Sequence, residues 1–210
     1  VNGTLTITKA NQTITFGALS PKTYGDAPFS VSATASSTLA VSFSSTTPSV
    51  CTTSGTNGST VTILAVGTGT CSIKASQTGD TNYNAATDVT QGFTVNKKTL
   101  TASVTGNPTK PYNGNTAATL APANFSLTGL VGIDSFNVTK TSGTYNTKDV
   151  ATANTVTTSL AAGDFTPVGG TLSGNYTLPT TASGAGQITA VALTASIVGD
   201  PTKTYNGNAT

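Results

Sequence analysis

The sequence contains no histidine, methionine, tryptophan, arginine or glutamate. Without histidine a Ser–His–Asp type of nucleophilic site cannot be built. Carboxylate acid–base work is left with aspartate alone, of which there are seven. Without arginine the basic side consists of nine lysines and the net charge is +2. The longest basic run is Lys97-Lys98, which reads as a solvated turn between units, so no nucleic-acid partner is expected. Two cysteines and no histidine are too few ligands for a zinc site. No apolar run approaches the ~18–20 residues that cross a bilayer, so no membrane insertion is expected in this segment. The opening "VNGTLTITKA" has no signal-peptide layout and no initiator methionine, which reads as an internal segment of something longer.

Serine and threonine supply about a third of the residues, and Val, Ile, Leu and Phe alternate with them. Such residues suit a pleated, half-buried surface, so the chain is expected to be all-β with no significant helix. Ile14 and Phe16 share one face of a strand, as do Val41 and Phe43, and Cys71, Ile73 and Ala75. Further along, Leu100/Ala102/Val104, Phe125/Leu127, Phe136/Val138 and Tyr176/Leu178 repeat the pattern. Turns are marked by Asn57-Gly58, by "VGTG" at 66–69, by Asn113-Gly114 and by Gly169-Gly170. Short strands at this spacing predict β-sandwiches.

The chain repeats itself. "LTASVTGNPTKPYNGNTA" from Leu100 aligns with "LTASIVGDPTKTYNGNAT" from Leu193, and twelve of the eighteen positions are identical. "SPKTYGDA" at 20–27 is a fainter copy. Three signature turns therefore correspond: Tyr24-Gly25-Asp26, Tyr112-Asn113-Gly114 and Tyr205-Asn206-Gly207. "GTLTITKA" (3–10), "GFTVNKKT" (92–99) and "GQITAVAL" (186–193) each read as the close of one unit and the start of the next. The expected division is a closing strand of a preceding unit at 1–9, complete sandwiches at 10–98 and 99–190, and the opening strand of a following unit at 191–210. Leu5, Ile7, Leu193, Ala195 and Ile197 then need a partner sheet, because a lone strand is marginal in water. Neighbouring copies or repeats of the same protein are the expected partners of these end strands, in one long chain or by strand addition. No Pro-Gly-Ser tether separates the units, which predicts a stiff joint at 95–100 with Val95 and Leu100 packed into opposite units.

Few residues invite a chemical reading. Asp134 and Asp149 are the carboxylates worth weighing as a pair, but "GID" and "KD" read as turns that each aspartate caps. "TGDTNYN" (78–84) offers Asp80, Asn82 and Asn84 as oxygen ligands for calcium, without a second carboxylate. A Lys–Asn amide cross-link would have only aspartate to assist it. The recurring Tyr24, Tyr112 and Tyr205 could stack on sugars, or pack near a domain end on the next unit. No catalytic, metal or cofactor site is expected, and the chain is read as a non-enzyme. Cys51 and Cys71 read as a disulfide in an oxidising, extracellular setting rather than as two free thiols. In a flat meander their strands would lie about 10 Å apart, so those strands must be direct neighbours or face each other across the sandwich.

"TKPYNGNTAATL", "GLVGIDSFNV", "LSGNYTL" and "GQIT" make the second unit similar to the YDG module of large bacterial surface proteins. The Tyr-Asp-Gly signature stands here as Tyr112-Asn113-Gly114, so no carboxylate occupies that spot. "QTITFGAL", "KTYGDAPF", "TPSVCTTSG" and "ASQTGDTNYNAA" make the first unit resemble the MBG-type bacterial Ig-like module. The resemblance implies tandem, secreted, adhesin-like architecture at the bacterial cell surface, and names no ligand. It leads to the expectation of a structural stalk or fibre segment, with a glycan-binding Ig-like module as the alternative. A surface glycan or host ligand is expected elsewhere in the full chain.

Overall fold

The computed structural model describes residue 3 and residues 5–207. Residues 1, 2, 4 and 208–210, to which the expectations for the two ends extend, lie outside the described residues. Strands dominate, and the only helical pieces among the described residues are single 3₁₀ turns at 56–58, 122–124, 162–164 and 173–175.

The first unit consists of β1 (Ile14–Phe16), β2 (Lys22–Thr23), β3 (Phe29–Ser30), β4 (Ala33–Ala35), β5 (Ser42–Ser45), β6 (Cys51–Ser54), β7 (Thr60–Ile63), β8 (Thr70–Ser76) and β9 (Val89–Asn96). One sheet runs β2-β9-β8-β5 and a second runs β3-β7-β6, with β1 and β4 as a separate antiparallel pair. The alternation read from the sequence decides which side chains enter the space between them. Ile14, Phe16, Val41, Phe43, Ile73, Ala75, Phe93 and Val95 are all buried in one core. The hairpin β6–β7 turns through Asn57 at φ 56° and Gly58 at φ 71°, the left-handed conformation that these residues accept most readily.

Cys51 and Cys71 form a disulfide with their Cα atoms 5.8 Å apart. Their strands, β6 and β8, belong to different sheets. Of the two geometries the sequence left open, the bond takes the one across the sandwich. Both cysteines are fully buried, at 0% exposure.

The second unit holds β10 (Lys98–Thr99), β11 (Thr101–Val104), β12 (Thr109–Pro111), β13 (Ala117–Thr119), β14 (Phe125–Thr128), β15 (Ser135–Val138), β16 (Ser142–Tyr145), β17 (Thr155–Ser159), β18 (Phe165–Val168), β19 (Tyr176–Thr177), β20 (Thr181–Ala185) and β21 (Gln187–Thr189). Its large sheet has six strands in the order β13-β16-β17-β20-β11-β14. The pairs β15–β18, β12–β21 and β10–β19 complete the unit. The core between them is built from Leu100, Val104, Leu120, Phe136, Val138, Tyr145, Val156, Phe165, Tyr176 and Ile188, among others. Gly184 on β20 lies so close to the Val104 carbonyl of β11 that any Cβ would collide with main chain. A glycine is therefore required where these parallel strands meet.

Both units start and finish alike. β2 runs parallel to the end of β9, with Lys22 opposite Val95, and β12 runs parallel to β21, with Lys110 opposite Ile188. Tyr24 N then donates to Asn96 O at 2.9 Å, and Tyr112 N donates to Thr189 O at 2.8 Å. Residues 5–9 and 191–207 form no strand among the described residues. Leu5, Ile7, Leu193, Ile197 and Val198 are exposed, Leu193 at 94%.

The joint between the units as candidate functional site

The chain passes from one unit to the other with a single unpaired residue, Lys97, between β9 and β10. On one side Val95 is 2% exposed in the first core, and on the other Leu100 is 2% exposed in the second. Lys98 and Thr99 pair parallel with Tyr176 and Thr177, and Leu100 N donates to Thr177 O at 3.0 Å. The connector is thus hydrogen-bonded into the second unit as soon as it leaves the first.

Side chains close the joint. The signature turn of the first unit is set locally: Asp26 N donates to Thr23 O, and Asp26 Oδ2 accepts from Thr23 N at 2.9 Å. Gly25 sits at φ +87°, and any Cβ there would strike Val131 of the second unit. The turn therefore demands glycine twice, for its backbone and for its close approach. Tyr24 leaves this turn and lays its ring edge-on against Tyr176, with centroids 5.5 Å apart and planes at 87°. The Tyr24 hydroxyl donates to Asp134 Oδ2 at 2.9 Å, and the Tyr176 hydroxyl donates to the same oxygen at 2.6 Å. Tyr176 Oη in turn accepts from Val131 N at 3.0 Å. A second link lies beside this clasp, where Val66 N donates to Asn175 Oδ1 at 2.8 Å.

Charge-assisted hydrogen bonds of this kind are worth about 1.5–3 kcal/mol each when shielded from water. The two phenols are tuned to remain donors. Burial pushes the Tyr176 phenol well up from its ordinary value, and the hydrogen bond to Asp134 adds to this. Tyr24 is raised too, first by burial and then by its hydrogen bond to Asp134. At neutral pH both rings are uncharged and hold one carboxylate oxygen from two sides.

Asp134 corrects the sequence reading. Asp134 N does donate to Val131 O in a turn, yet its carboxylate reaches the other unit rather than capping that turn. Asp149 stays local, bonded to Thr147. The two aspartates share no partner and form no acid–base pair. Local pattern could not place Asp134, because its partner Tyr24 lies 110 residues away. One signal was available: Asp134 is the only acid between Asp88 and Asp149. Asn175 and Val66 carried no signal at all, since they are joined across 109 residues.

The other candidates stay apart. Asp80 Oδ1 accepts from Asn82 N and Tyr83 N, so this carboxylate is turned to its own loop, and Asn84 Nδ2 donates to Asn11 Oδ1. No group of three or more metal-ligating side chains occurs among the described residues. Lys110 Nζ bonds Asn113 Oδ1 at 2.8 Å and Asn115 Oδ1 at 2.7 Å, all amide partners on one exposed turn. Tyr112 is 43% exposed and Tyr205 lies out in solvent. An open trough crosses the large sheet, lined by Lys140, Ser142, Thr144, Thr157, Ser159, Thr181 and Ser183 with no aromatic ring. No helix among the described residues is long and apolar enough to cross a membrane.

Residues 96–183 match the family model of the YDG domain. The match begins at Asn96, where the connector leaves the first unit, and takes in Val131, Asp134, Asn175 and Tyr176. The half of the clasp that receives Tyr24 therefore lies within the stretch that is similar to the YDG domain. No curated protein matches the chain.

Proposed function

We propose that this chain is a non-catalytic structural segment of a bacterial extracellular adhesin or filament-forming surface protein, in which tandem Ig-like units act as a stiff stalk. The observation that carries this is the joint: one unpaired residue between the units, and a carboxylate gripped from both sides by tyrosines of different units. A flexible tether leaves its domains free to rotate, whereas this arrangement resists bending because rotation breaks the charge-assisted Tyr24–Asp134 bond and the Val66–Asn175 bond that cross the joint. The first unit is taken as MBG-type, and residues 1–9 and 191–210 as parts of neighbouring units. A buried disulfide suits an oxidising exterior. Low charge and a Ser/Thr-rich surface suit a soluble rod with few adhesive patches.

The glycan-binding alternative calls for exposed rings in a concave site. The open trough on the large sheet supplies hydroxyls and Lys140 but no ring to stack on a sugar face, which favours the stalk. Solution scattering tests the proposal. The chain should scatter as one elongated rigid body, and a profile that fits only two freely rotating units would sink it. A glycan-binding screen of the same chain tests the alternative and should be blank.

A further inference from the structure

We infer that Tyr112 is the docking tyrosine of a second joint, whose occupant is a YDG-type unit beginning at Leu193. The inference rests on the stalk reading and extends it to a named partner and contact. Tyr24 and Tyr112 hold the same place in their units. Each follows a short strand that runs parallel to the last strand of its unit, and each donates its backbone N–H to the final residue of that strand, Asn96 or Thr189. From Asn96 to Leu100 is four residues, and from Thr189 to Leu193 is again four. The sequence that follows, "LTAS", is the same in both places.

The first joint therefore fixes what the second needs. Its connector pairs with the strand that starts at Tyr176, and its tyrosine is received by Asp134. A following unit that repeats residues 100–190 brings a carboxylate and a phenol at the offsets from Leu193 that Asp134 and Tyr176 have from Leu100. Tyr112, now 43% exposed, supplies the ring and hydroxyl to meet them. The second joint is not a copy of the first in every atom. Asn113 stands next to Tyr112 where Gly25 stands next to Tyr24, and Gly25 is the residue against which Val131 packs. Asn113 is already bonded to Lys110 of its own unit. The second joint keeps the tyrosine clasp and gives up the close backbone approach.

The test extends the chain. Thr210 aligns with Ala117, so residues 118–190 appended after Thr210 complete a second YDG-type unit starting at Leu193. This three-unit protein should scatter as a single stiff body. Tyr112→Ala should free the third unit only, and should leave the scattering of the 210-residue chain unchanged. Asn in place of Asp at the appended copy of Asp134 should loosen the same joint, and the double substitution should loosen it no further. The inference is overturned if the third unit rotates freely in the unsubstituted protein, or if Tyr112→Ala leaves the joint stiff. It is overturned too if the appended unit fails to unfold in a transition of its own while the first two do, because the same strands fold at 100–190. Loss of stiffness between the first and second units as well would take the stalk reading with it. A free third unit on a stiff first pair would leave that reading standing.

Discussion

The two units pair their first and last strands in the same way, yet they hold their sheets together by different means. The first closes a core of four phenylalanines, Phe16, Phe29, Phe43 and Phe93, around a disulfide that ties one sheet to the other. The second has no cysteine. It fills the same space with Phe136, Phe165, Tyr145 and Tyr176, of which Phe136 meets Phe165 and Tyr176 edge to face, and lets its strands approach through Gly184. A covalent tie acts chiefly on the unfolded chain, whereas ring packing acts on the folded one. The second unit therefore depends on individual side chains, and it is also the unit that presents the receiving half of the joint. Stability and stiffness are coupled in Tyr176, which belongs to both core and clasp.

That comparison can be broken most forcefully at Tyr176. Tyr176→Ala removes a fully buried ring and should cost the second unit about 3–5 kcal/mol. In denaturant unfolding the second unit should melt early while the first keeps its transition, and a common loss in both would show that the units fold as one. The reverse experiment is Cys51→Ala with Cys71→Ala. The enclosed loop spans 20 residues, so the first unit should lose on the order of 3 kcal/mol and the second nothing. Thiol labelling of the denatured, unreduced protein should find no reactive cysteine.

Asp134→Ala sharpens the comparison at the joint. Two hydroxyl donors lose their shared acceptor, which should cost the second unit about 1–3 kcal/mol and loosen the scattering profile. An unchanged profile would show that the connector alone sets the stiffness.

Alkaline pH reads the same difference without mutation. Tyr24, Tyr145 and Tyr176 all have phenols raised by burial, so folding holds their protons more tightly than the unfolded chain does. Their contribution is complete below the ordinary tyrosine value of about 10 and is lost as pH rises through the higher folded values. The joint and the second unit should weaken above about pH 10 before the phenylalanine-filled first unit does. Tyr176→Phe should blunt that dependence.

The smallest effect is expected at Asp88. It pairs with Lys74 at 3.0 Å, and the Lys74 hydrogen bond draws its carboxyl below the usual range. Both groups face water, so Asp88→Asn should leave the midpoint of the first unit unmoved within error.

Much of this fold was legible because strand alternation and turn chemistry are local. The inward faces at 14–16, 41–43, 71–75 and 136–138 followed from period-two spacing, and the turns at Asn57-Gly58 and Gly169-Gly170 from their tolerance of positive φ. The disulfide was readable as a pairing but not as a bridge between sheets, since that depends on which strands become neighbours. Asp134 was misread because a turn sequence says how the backbone bends and nothing about where the carboxylate ends up.

The repeat separates the two kinds of information within one chain. Gly207 adopts φ 87° as Gly114 adopts 82°, and Gly199 adopts 95° as Gly106 adopts 75°. Those turns form at 199–207 with no sheet around them, so the sequence determines them by sterics that act within a few residues. "LTAS" at 100–103 leads into β11, which is hydrogen-bonded between β14 and β20, while the same letters at 193–196 form no strand and stand in solvent. A strand needs partners for its backbone and a second layer for its apolar side. Which carboxylate meets Tyr24, which sheets the disulfide joins and how the units are locked were decided by contacts between residues far apart in the chain, and only the tertiary structure brings those together.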